Sequence, residues 1–61
     1  MADYRLYYLR DGQIIGREDF KADSDEAAVV YASELRGGHA AELWERSRRI
    51  WTFEPHPDLG P

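Results

Sequence analysis

The stretch Asp3–Ala22, DYRLYYLRDGQIIGREDFKA, decides the fold. Aromatic and aliphatic residues alternate from Tyr4 to Leu9, Asp11-Gly12 supplies a strong hairpin signal, and a second extended run continues to about Ala22. The register follows from which residues must share a face. A strict two-residue loop at Asp11-Gly12 sets Leu6 beside Arg17 and Tyr4 beside Asp19, which mixes core with charge. A three-residue loop, Arg10-Asp11-Gly12, pairs Tyr8 with Ile14 and Leu6 with Gly16. One face then carries Tyr4, Leu6, Tyr8, Ile14, Gly16 and Phe20, with Glu18 the misfit, and the other carries Arg5, Tyr7, Leu9, Ile15, Arg17 and Asp19. Because a one-residue slip turns every side chain over, the register that keeps the first set together is expected.

Working outward, Asp23 to Arg36 reads as a helix. Asp23 stands at capping-box spacing from Glu26, Asp25 and Glu26 suit the positive end of the dipole, and Gly37-Gly38 provides the left-handed stop. Ala28, Tyr31, Ala32 and Leu35 fall on one stripe, and Gly16 is expected to receive it. Val29 and Val30 lie towards its flanks. From Ala40 the pattern is extended again, AAELWE then RIWTF. A turn at Arg46-Ser47 pairs Glu45 with Arg48, Trp44 with Arg49 and Leu43 with Ile50; a break at Ser47-Arg48 pairs the two tryptophans instead but sets Arg46 against Arg49. Three prolines in the last seven residues rule out a further strand.

The expected fold is therefore α+β, in the order ββαββ: a four-stranded, mainly antiparallel sheet over residues 1–54 with one helix on one face, and a flexible Pro-rich tail over 55–61. Strand order 2-1-3-4 makes all neighbours antiparallel and gives a right-handed crossover through the helix; order 1-2-3-4 is the alternative.

Composition bounds the rest. The 61 residues contain no cysteine, so no disulfide or thiolate–zinc site supports a core that buries only about 60% of the unfolded surface. Twelve acids against eight bases give a net charge of −4, which opposes attraction of the whole molecule to nucleic acid or anionic membrane. No apolar run approaches the roughly 18 residues of a spanning helix, and no signal-peptide order is seen, so a cytoplasmic location is expected.

One helix covers one sheet face, yet apolar residues fall on both. Tyr7, Leu9 and Ile15 from the first hairpin, and Trp44, Trp51 and Phe53 from the second, are expected on the opposite face. Covering a Trp or Phe removes roughly 150–250 Å² from water, so leaving this set exposed forfeits several kcal/mol at about 25 cal/mol per Å². Such patches mark association or ligand sites. The sequence thus points to a non-enzymatic interaction module that forms a homodimer or higher oligomer through this face. The competing possibility is that a register shift or the tail hides both indoles within the chain.

Chemical motifs are sparse. His39 and Glu42 stand at a loop-to-strand junction, where their spacing does not align two ligands, so no metal or cofactor is expected. No nucleophile elbow or phosphate loop is present, and Ser24, Ser33 and Ser47 have no base nearby in sequence. The alternative function is a module that stacks single-stranded nucleic acid on Trp44 and Trp51 with Arg46, Arg48 and Arg49 between them. Glu42, Glu45 and Glu54 in the same hairpin weigh against it.

Five strings, Y-R-L-Y from Tyr4, the D-G pair, R-E-D-F from Arg17, D-x-D-E-A-A from Asp23 and G-G-H-A-A-E-L-W from Gly37, together resemble a group of short bacterial proteins, associated with alphaproteobacteria, whose function is uncharacterised. The resemblance covers Tyr4 to Trp51. It implies that Gly38, His39, Glu42, Leu43 and Trp44 belong to a shared module, and it carries no activity.

Overall fold

Asp11 and Gly12 both adopt positive φ, at 52° and 78°, the conformation that a tight two-residue hairpin turn requires. They close a hairpin between β1 (Ala2–Arg10) and β2 (Gln13–Ala22) in a computed structural model that describes residues 1–55. The tail expected over 55–61 lies, beyond Pro55, outside the described residues. Helix α1 (Asp25–Leu35) follows, then β3 (Ala40–Glu45) and β4 (Arg48–Phe53). All strand pairs are antiparallel, in the order β2-β1-β3-β4. The fold is α+β, with one helix among the described residues and the expected sheet order.

The registers differ from expectation through two bulges. At the turn, Arg10 pairs with Gln13 and Leu9 with Ile14; after a break, Tyr8 pairs with Gly16, Leu6 with Glu18 and Tyr4 with Phe20. The extra residue is Ile15. It lets a two-residue turn coexist with a core-forming register, so the three-residue loop is not used. Ile14 consequently sides with Leu9, not with Tyr8, and is 59% exposed. The second hairpin begins as expected, Glu45 with Arg48 and Trp44 with Arg49, but then Leu43 pairs with Trp51 and Ala41 with Phe53. Here Ile50 is the extra residue. One inserted residue turns the rest of the strand over.

The core lies between the sheet and α1. It comprises Tyr4, Leu6, Ala22, Ala28, Ala32, Ala41, Leu43 and Phe53, with Tyr8, Phe20, Val29, Leu35 and Ile50 packed around it. Leu6 and Leu43, opposite each other in the β1–β3 register, are its only fully buried large side chains among the described residues. Ala28 and Ala32 allow the helix axis to approach closely. Gly16 does not act as a recess for α1 as expected; a Cβ there would meet the Tyr8 ring at 3.6 Å. The helix is capped by Ser24 and not by Asp23: Ser24 Oγ accepts from the Ala27 amide at 3.1 Å. At its other end, Arg36 reaches across to the edge of the sheet. Its Nη1 donates to the carbonyls of His39 at 3.0 Å and Glu54 at 2.6 Å, and its guanidinium lies 4.9 Å from the Phe53 ring centre.

Candidate functional site

The sheet face turned away from α1 is built in rows that cross the strands. Asp19, Arg5, Trp44 and Arg49 form one row, and Arg17, Tyr7, Glu42 and Thr52 the next. Ile14, Leu9 and Ala40 form a third, with the bulged Ile15 beside it. No other element of the described residues covers these rows. The face is apolar at the hairpin end and charged further along.

Of the six residues expected to form an interaction surface, the structure brings four to this face or its margin. Tyr7, Leu9 and Trp44 are half-buried, and Ile15 is exposed. The other two require correction. Phe53 is only 7% exposed and belongs to the core, beneath Arg36. Trp51 pairs with Leu43 and therefore points to the helix side of the sheet, where it is 53% exposed. The Ile50 bulge is the physical reason for both. Ile14, placed in the core by the sequence pattern, joins the outer surface instead.

The two indoles thus lie on opposite faces and cannot form one stacking platform. Arg48 is also committed elsewhere. It bridges to Asp25 at 3.0 Å and to Glu45, while Asp25 accepts a 2.7 Å hydrogen bond from the Tyr4 hydroxyl. This network ties β1, β3 and β4 to the start of α1. Its electrostatics are legible in the protonation equilibria: Arg48, then Tyr4, hold the Asp25 carboxyl below its ordinary value. In return, the hydrogen bond to Asp25, followed by burial, pushes the Tyr4 phenol up to about 12.

Around Trp44, a depression of about 510 Å³ is lined by Arg5, Tyr7, Asp19, Lys21 and Arg46, among others. Arg5 Nε donates to Asp19 Oδ1 at 2.7 Å, Lys21 Nζ lies 3.0 Å from Asp3 Oδ1, and Trp44 Nε1 donates to Glu42 Oε1 at 3.1 Å. Arg5 with Asp19 and Lys21 with Asp3 satisfy one another across β1 and β2, Trp44 and Glu42 do so along β3, and neither a serine nor a histidine stands among the lining residues. Among the described residues no three His, Asp or Glu side chains converge as a metal site. No helix of the described residues is long and apolar enough to cross a membrane.

Comparison with family models, with curated proteins and with solved structures finds no match to the chain. Its function is therefore argued from its own surface.

Proposed function

We propose that this chain is a small non-enzymatic interaction module that self-associates through the sheet face left open by α1, with Tyr7, Leu9, Ile14, Ile15 and Trp44 as the contact residues. The observation that carries this reading is the uncovered apolar end of that face, where Ile14 and Ile15 stand exposed beside Leu9. A chain with two fully buried leucines among its described residues and no cysteine gains core area most directly from a second copy. We place the module in a bacterium on the sequence resemblance, and in the cytoplasm because no apolar run approaches the length of a spanning helix.

Sedimentation equilibrium of the unmutated chain and of Trp44→Glu tests the reading. The substitution sets a charge in the middle of the face while leaving the helix side untouched. It is expected to lower the mass of the assembly with the circular dichroism unchanged. An unmutated chain that sediments at its 7.1 kDa monomer mass at about 100 μM, where a micromolar contact is well populated, refutes self-association. An assembly mass unaltered by Trp44→Glu refutes this face as its site.

A further inference from the structure

Among the described residues the sheet ends in two edges with no strand beyond them, β2 and β4, and they differ in how they meet a neighbour. β4 has 6 residues, begins with Arg48 and Arg49, and is interrupted at Ile50; short length, cationic side chains and a central bulge all keep an edge from pairing. β2 has 10 residues. Its bulge is confined to the hairpin end, and from Gly16 to Ala22 it runs in unbroken register along β1. The far side of that run presents main-chain donors and acceptors to solvent.

Its side chains are complementary to themselves. On the face away from α1, Arg17, Asp19 and Lys21 alternate in sign along β2. Laid antiparallel to a second copy about a two-fold axis through Phe20, Asp19 stands opposite the second copy's Lys21. Symmetry repeats the pair. Moving the axis to Asp19 sets Arg17 against Lys21 and Asp19 against its own copy, and moving it to Lys21 sets Lys21 against its own copy. Only the Phe20 axis avoids like charges among these three. The pairs already present within the chain, Arg5 with Asp19 and Lys21 with Asp3, then extend into rows that alternate in sign over four strands: Arg5, Asp19, Lys21 and Asp3.

The helix side of the same run carries Phe20 and Ala22, with Glu18 its charged member towards the hairpin end. The Phe20 ring packs 4.7 Å from Tyr31 on α1, which fixes the flank of the helix that overhangs β2. Tyr31 is 51% and Val30 63% exposed. With Ala27 they span an arc of about 100° on that flank, Glu34 being its one charged member. Within one copy the Phe20 contact leaves more than half of Tyr31 and Val30 uncovered.

We infer that β2 is a dimerisation edge, at which two copies join antiparallel about Phe20, pairing Asp19 with Lys21 on one face and bringing the Phe20–Tyr31 flanks together on the other. The contact is isologous and closes at two copies. It leaves the opposite sheet face open, so it stands independently of the face contact proposed above: either contact alone gives a dimer, and both together give a larger assembly.

Charge reversal with rescue tests the inference. Asp19→Lys and Lys21→Asp each set like charges across the seam, whereas a mixture of the two variants restores opposite charges at both positions. Sedimentation is performed in the Trp44→Glu background, which removes the face contact. There the chain with its native edge is expected to remain a dimer. Each reversal should weaken that dimer by about tenfold or more, and the equimolar mixture should recover it as a heterodimer. A monomer with the native edge, equal affinities for all forms, or a mixture that does not recover would overturn the inference. Isotope-filtered NOEs between Phe20 rings of labelled and unlabelled copies, on the chain without reversals, detect the same seam without relying on the variants' folding. Association lost on Trp44→Glu alone, with no such NOE in the unmutated chain, supports the face reading and removes the edge.

Discussion

Truncating Leu43 and Ile14 to alanine should give costs that differ by about 1–4 kcal/mol. Leu43 is fully buried opposite Leu6 and shares a cluster with Ala28 and Ala32. Its loss combines the transfer term with an unfilled cavity, for a cost of about 2–5 kcal/mol. A domain of 61 residues has a total stability of roughly 3–9 kcal/mol at about 0.05–0.15 kcal/mol per residue, so Leu43→Ala consumes much of it. Ile14 is 59% exposed on the other face. Removing about three carbons at about 0.8 kcal/mol for each fully buried one, with two-fifths of the surface covered, costs about 1 kcal/mol or less. In melting temperature, each kcal/mol is about 4–8 °C for a domain of this size. Urea unfolding followed by circular dichroism, at low and matched concentrations so that association does not enter, measures both. If Ile14→Ala costs as much as Leu43→Ala, then Ile14 faces the helix and the bulge at Ile15 does not exist.

Two further outcomes follow from local geometry. The Tyr4 phenol, raised to about 12 by its hydrogen bond to Asp25 and by burial, is protonated more readily folded than unfolded; its stabilisation is therefore complete below about pH 10 and lost as pH climbs towards 12. Tyr4→Phe should flatten the alkaline limb of urea midpoint against pH, and an unchanged limb would remove Tyr4 as its source. Arg46 holds φ at 57°, a left-handed conformation that costs an L side chain roughly 1–2 kcal/mol, offset in part by the greater unfolded freedom of glycine. Arg46→Gly should accordingly raise the urea midpoint by the equivalent of about 0.5–1 kcal/mol, and a fall would show that the arginine side chain contributes more than its backbone costs.

The element order and the strand order were legible because punctuation specifies them. Asp11-Gly12 and Gly37-Gly38 mark stops that only a few conformations satisfy, and antiparallel neighbours around a right-handed crossover leave order 2-1-3-4. The faces were legible except at Ile14, on the turn side of the first bulge, and at Trp51 and Phe53, beyond the second. Alternation in QIIGREDF and RIWTF looks the same whether or not one residue is looped out, because an isoleucine fits either side of a half-covered sheet. A signal for the first bulge was present. The Asp-Gly turn favours a two-residue loop, the core favours Tyr4 beside Phe20, and both hold only if one residue is inserted next to Gly16, a residue type common at such sites. No comparable conflict flags Ile50, since Leu43 packs as well beside isoleucine as beside tryptophan. The cap shifted from Asp23 to Ser24 because both side chains accept hydrogen bonds well, and helical geometry begins only at Asp25.

The two bulges act in opposite senses, and together they decide which surfaces are left for association. At Ile50 the inserted residue turns Phe53 inward, where the Arg36 guanidinium covers its ring and secures the end of β4. That completes a core which α1 alone, with alanines at its buried positions, would leave thin. At Ile15 the inserted residue turns Ile14 outward and gives up apolar surface that the core could have used. A monomer optimised only for its own stability has reason to keep the first bulge and not the second. The bulge at Ile15 brings a tight turn and, beyond it, a straight run of β2 whose charges alternate from Arg17 to Lys21. Bulges ordinarily spoil an edge for pairing. Here the bulge in β4 interrupts the strand at its centre, whereas the bulge in β2 sits at the hairpin end and leaves the remaining edge regular. The asymmetry favours β2 as the edge that receives a second copy.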